Sequence, residues 1–284
     1  MKNKKANLII ISFLALAAVS VIIIFSARSP VLIVTEHSFI ELYGKDRLNR
    51  ASLAASIRLF RQVKTVAVSN ETGEDIVPHA VSEVSSNPYC VMFPVRFLRS
   101  ANLYQALNPK VPVIVMSGRS YEFEENTDSL DLIYVKTDIY ADFYRAALSA
   151  AAHSQGKEGS IAVFIEPNEY ANNRVGLMEA FFRGINEKEN PPQVSFFTSI
   201  GELPDDFVVS CAVLAGAGSE FIEKTPGIPV ILFSWLDPSI LPNEVVLVID
   251  DSPWAQIFGA AALAYTDKTE AFIVSNFIKI RRKK

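Results

Sequence analysis

The sequence predicts an α/β protein of two lobes, each built on a parallel sheet, joined by crossing strands and preceded by an N-terminal transmembrane signal anchor. Three observations predict it. From Val31 onward, short β-branched runs alternate with helical patterns; the alternation restarts once after a long helix; and an uncharged apolar run precedes both blocks. With 284 residues, half of them hydrophobic, the chain can bury a sizeable core.

Residues 8–25, LIIISFLALAAVSVIIIF, contain no charge, and Lys2, Lys4 and Lys5 precede them. A cleavable secretory signal has an apolar core of about 7–15 residues. This run is longer and approaches the roughly 20 residues that span a bilayer. An uncleaved anchor is the expectation for residues 1–30, with a cleavable signal ending near Ala27 as its rival. No cysteine stands near the end of the run for lipid attachment. The lysines stay cytoplasmic by the positive-inside rule, which places the main domain outside the cytoplasm at the cell membrane.

Strands are expected at 31–35, 65–69, 89–93, 111–117 and 130–136, with helical patterns at 45–63, 73–85 and 96–107 between them. A long helix from Ile139 to His153 shows a face of small residues, ADFYRAALSAAA, and QGKEG ends it. The second block has strands at 160–166, 193–199, 207–215, 228–234 and 245–249, then a helix at 253–266 and a closing run at 271–280. No low-complexity linker divides the blocks. The expected lobes are therefore 31–138 plus 251–270 and 139–250 plus 271–284.

Cys90 and Cys211 lie in apolar runs, YCVMF and VVSCAVLAG, and read as buried core residues in different lobes, with no disulfide. His37, His79 and His153 have no ligand spacing, so no metal is expected, and nothing calls for a cofactor. The first 30 residues hold four basic and no acidic residues against 27 Lys and Arg and 31 Asp and Glu in the whole chain, so the remainder carries a net charge near −8. Such a surface repels nucleic acid.

The order of elements from 31 to 280 resembles the type I periplasmic binding protein family, a pair of Rossmann-like lobes that closes like a flytrap. The pieces that carry the resemblance are VPVIVMSGR, YVKTDIYADFYRAAL, NNRVGLMEAF and LPNEVVLVIDDSPWAQIFGAAAL. It implies a small polar solute such as a sugar or nucleoside, and a membrane permease of an ABC-type transporter as partner. The sequence departs from the sugar branch at Ala215 to Gly218, which offers no polar side chain. WLDPSIL, from Trp235 to Leu241, is as similar to the nucleoside-binding branch. A tethered sensor or interaction domain with an altered or lost ligand is the alternative.

Open parallel sheets bind ligands outside the carboxyl ends of their strands, which selects the candidate ligand-binding residues. Arg174 stands at a helix start, where the macrodipole disfavours a cation. It either faces a cleft or is an ordinary exposed arginine. Arg119, after VIVMSG, can fork onto hydroxyls or a carboxylate, or cap a loop against Glu122, Glu124 or Glu125. Asp138, Asp237, Asp250 and Asp251 also fall at strand ends or crossovers. Of these, Asp138 and Asp237 are taken as ligand contacts and Asp251 as a helix cap before Pro253. Phe39 and Trp235 can stack on a flat ligand, with core packing the rival reading for Phe39. No nucleophile elbow, phosphate loop or zinc-protease motif is present, so binding rather than catalysis is expected.

Overall fold

A computed structural model describes residues 15–16, 19–20, 23–69, 72–73, 75–117, 131–167 and 173–280. Most of the apolar run 8–25, and Arg119, lie outside them. Among the described residues no helix is long and apolar enough to cross a membrane.

The first lobe contains strands β1 (Val31–Glu36), β2 (Val63–Val68), β3 (Cys90–Pro94), β4 (Val113–Met116), β5 (Leu132–Thr137) and β11 (Glu270–Ile273). They form one parallel sheet in the order β11-β5-β4-β3-β1-β2. The second lobe repeats the plan with β6 (Ser160–Ile165), β7 (Val194–Phe197), β8 (Val209–Ala215), β9 (Val230–Phe233), β10 (Val245–Asp250) and β12 (Asn276–Lys279). Its order is β12-β10-β9-β8-β6-β7, and only β12 runs antiparallel, along β10. β1, β3 and β4, and β6 and β8, are apolar on both faces because helices cover both sides of each sheet.

The helices are α1 (His37–Tyr43), α2 (Lys45–Leu59), α3 (Val77–Val84), α4 (Leu98–Leu107), α5 (Ile139–Ser154), α6 (Arg174–Ile185), α7 (Glu220–Lys224) and α8 (Pro253–Ala261). The small-residue face of α5 works as its sequence implies. Ala146, Ala147, Ala150 and Ala151 are buried, and α6 comes so close that a side chain at Gly184 would meet Ala147 Cβ at 2.8 Å.

Three segments cross between the lobes, and hydrogen bonds knit them together. Asp142 on α5 accepts from Ser275 N–H at 3.0 Å and from its hydroxyl at 2.5 Å. Arg145 donates to Ser275 O at 3.2 Å, and Gln256 Nε2 donates to Thr137 Oγ1 at 2.9 Å. The capture of Ser275 corrects one expected boundary. The closing run does not lie wholly in the second lobe from residue 271: residues 270–273 add to the first sheet, the chain crosses at Ser275, and residues 276–279 pair with β10.

Candidate functional site

The carboxyl ends of β1, β3 and β4 meet those of β8 and β9 around an interlobe cavity of about 720 Å³. That volume lies within the range of about 300–1,000 Å³ typical of small-molecule sites. Five aromatic residues, Phe39, Phe97, Phe233, Trp235 and Trp254, give its wall a largely apolar character. Among the described residues, the charged members of the lining are Glu36, Arg96 and Asp251.

Glu36 ends β1 and is 7% exposed, because that strand is buried along its whole length between β3 and β2. Its Oε2 pairs with Arg96, which the short turn Val95–Phe97 after β3 brings alongside, while its Oε1 has no hydrogen-bond partner. Trp254 sits in the first turn of α8 and is 1% exposed, and its indole N–H is likewise unpartnered. A buried polar atom without a partner costs about 1–3 kcal/mol. Most buried polar atoms in folded proteins are paired. Of the four unpartnered ones among the described residues, Gln105 Oε1 and Gln256 Oε1 lie outside the cavity lining, and Glu36 Oε1 and Trp254 Nε1 belong to lining residues and make this cavity the candidate ligand site.

One side of the cleft is closed by direct contact. Arg47, on α2 of the first lobe, donates to the carbonyls of Trp235 at 3.0 Å and Leu236 at 2.8 Å, and pairs with Asp250 at 2.5 Å. Its guanidinium lies 4.1 Å from the Tyr43 ring centroid, and Tyr43 donates its hydroxyl to Asp250 at 3.3 Å. Burial, and next the Asp250 charge, push the Tyr43 phenol up. Burial also pushes the Asp250 carboxyl up, against the pull of Arg47 and the Ser252 N–H. Asp237 N–H donates to Leu42 O at 3.1 Å.

Phe39 and Trp235 both line the cavity, as a stacking platform would. Their rings stack on each other, with centroids 4.9 Å apart, and Phe39 also stacks on Tyr43 at 5.1 Å. Asp138 caps α5, accepting from Ala141 N–H at 3.0 Å. Asp237 caps the short turn Pro238–Ile240 through Ser239 N–H at 2.9 Å. Arg174 begins α6 outside the cavity lining; the nearby Glu202 of its own lobe has its carboxyl lowered first by hydrogen bonds to Thr198 and last by the Arg174 charge. The cap of α8 is Ser252, whose Oγ accepts from Ala255 N–H at 3.2 Å, and not Asp251, because the residue directly before Pro253 has the extended backbone that a cap needs. Glu36, Arg96, Arg47 and Trp254 were not singled out by the sequence. A charged residue closing an apolar strand, as in VLIVTE, was the available signal for Glu36.

No family model matches the chain. No curated protein matches it either. Solved structures do. An ABC transporter periplasmic solute-binding protein from Actinobacillus succinogenes 130z with bound D-allose superposes with a TM-score of 0.55 at 12% identity, over 89% of this chain and 98% of that one. A sugar ABC transporter sugar-binding protein from Bacillus halodurans gives 0.52 at 16% identity, over 84% and 86%. A LacI transcriptional regulator from a Rhodococcus species gives 0.50 at 17%, over 88% and 96%. The chain has the type I periplasmic-binding-protein fold, a scaffold that carries both solute carriers and regulators.

Proposed function

We propose that the protein is an extracytoplasmic solute-binding protein, tethered by its N-terminal segment, that holds a small ligand between its lobes and serves an ABC-type membrane permease. The observation that carries this reading is the interlobe cavity lined by Glu36 and Trp254, each with a buried polar atom lacking a partner. Both atoms belong to the first lobe, so a ligand that supplies those partners docks there and the second lobe closes over it with Phe233 and Trp235, which is how hinged lobes couple binding to closure. The solute-binding neighbours support the transport role. The acidic net charge, −4 for the whole chain, argues against the DNA-binding use of the same scaffold.

A second reading, a tethered sensor or interaction domain without a diffusible ligand, is favoured by the Arg47 contacts, which join the lobes with nothing between them. The turn after β8 also presents Gly216 to the cavity in place of a polar side chain. Native mass spectrometry of the full chain, extracted in mild detergent, separates the two. A stoichiometric small molecule released on unfolding supports the first. An empty protein that a broad metabolite panel does not stabilise supports the second.

A further inference from the structure

The cavity's chemistry narrows the class of solute, on the reading that this cavity is the solute site. Several of its polar side chains are already engaged. Ser234 Oγ accepts from Leu236 N–H at 3.1 Å, Ser252 Oγ caps α8, and Arg96 pairs with Glu36. Among the described residues, the buried side-chain atoms of the lining without a hydrogen-bond partner are one carboxylate oxygen, Glu36 Oε1, and one indole N–H, Trp254 Nε1. A carboxylate oxygen calls for a donor and is satisfied best by a charged one. The indole N–H calls for a single acceptor.

Charge and shape agree with that demand. Among the described residues the charged lining is Glu36, Asp251 and Arg96, and the unpartnered oxygen of Glu36 favours a cationic occupant. Aromatic ring faces attract cations as well as apolar groups. A sugar can lay its C–H face on such a wall, but each hydroxyl turned toward the wall would lose its hydrogen bonds to water without replacement. We infer that the solute is a compact organic amine with an apolar body and one oxygen acceptor, its ammonium held by Glu36 and its body packed against the aromatic wall.

Isothermal titration of the full chain in mild detergent tests this with tyramine and its alcohol counterpart tyrosol, alongside D-glucose and adenosine. Tyramine should bind at least about tenfold more tightly than tyrosol, as expected for one charge-assisted hydrogen bond, with no heat from glucose or adenosine. Glu36→Gln should erase the difference between tyramine and tyrosol, and Lys188→Ala, on the surface away from the cavity, should keep it. The wild-type comparison needs no variant to fold. Equal affinity for tyramine and tyrosol, or glucose or adenosine binding in place of tyramine, overturns the amine while leaving the cavity a solute site. If none of the four binds and native mass spectrometry finds no co-purified solute, both the amine and the proposed function fall.

Discussion

The guanidinium of Arg47 lies 2.5 Å from the carboxylate of Asp250, and the pair joins a helix of the first lobe to the last residue of a strand of the second. Both side chains are removed from water, at 11% and 1% exposure. Removing one partner would leave a buried charge uncompensated. Arg47→Ala should therefore cost about 3–5 kcal/mol of stability, measured by urea denaturation. The double variant Arg47→Met, Asp250→Leu should recover most of the loss, since apolar replacement of a buried pair is often neutral. A loss under about 1 kcal/mol in the single variant would show that the contact does not join the lobes in solution.

Gly44 connects α1 to α2 with φ at +91°, and a side chain there would run into the Asp237 carboxylate of the other lobe. Gly44→Ala should destabilise by about 2 kcal/mol or more, from the positive φ and the collision together. A thermal midpoint equal to the parent's would contradict the close approach.

Burial foremost, and then Lys157 and Lys279, hold the His153 imidazole below its ordinary value of 6.5. The unfolded chain then takes up a proton at a higher pH than the folded one. This contribution to stability is complete above about pH 6.5 and is lost as pH falls through the lowered folded value. His153→Gln should flatten that part of the stability profile, read from denaturation midpoints between pH 7.5 and 5. The helix C-terminus beside His153 favours its charged form and limits the size of the effect. An unchanged slope would contradict the burial.

Cys90 and Cys211 lie on β3 and β8, in opposite sheets, and both are free and buried. Burial pushes each thiol up to about 12, so the reactive thiolate is scarce near neutral pH. Neither should react with a maleimide in the folded protein, and both should react after unfolding without reductant. Protection that persists until a reductant is added would reveal a disulfide and break the assignment of the two cysteines to separate lobes.

Much of the fold was legible because parallel strands buried on both faces appear as unbroken apolar runs. The ten strands expected between 31 and 250 all occur, within a few residues of their expected ends. The helix His37–Tyr43 was missed, since HSFIELY is short and no side chain caps its start. The site was harder to read. Asp138 and Asp237 sit at strand ends where a ligand contact and a cap require the same short carboxylate, and their nearest backbone N–H groups use them as caps. Arg47 resembles its neighbours Arg50, Arg58 and Arg61 in sequence, and only the return of the chain at Trp235 and Asp250 distinguishes it. Phe39 and Trp235 were placed at the cavity by strand-end logic, but their stacking on each other depends on how the lobes approach.

The proposed function places a solute between the lobes, against Glu36 and Trp254. The chain has two tryptophans, Trp235 and Trp254, and both line the cavity, so tryptophan emission reports on that cavity alone. The most direct test is a fluorescence titration of the full chain with the solute that co-purifies with it, after the protein has been stripped by unfolding and refolding. A solute held there should give a saturable change in intensity or wavelength whose midpoint matches the affinity from equilibrium dialysis, and that weakens about tenfold or more in Glu36→Gln. Binding seen by dialysis with unchanged emission and an unaffected Glu36→Gln would place the solute elsewhere and rule out the interlobe site.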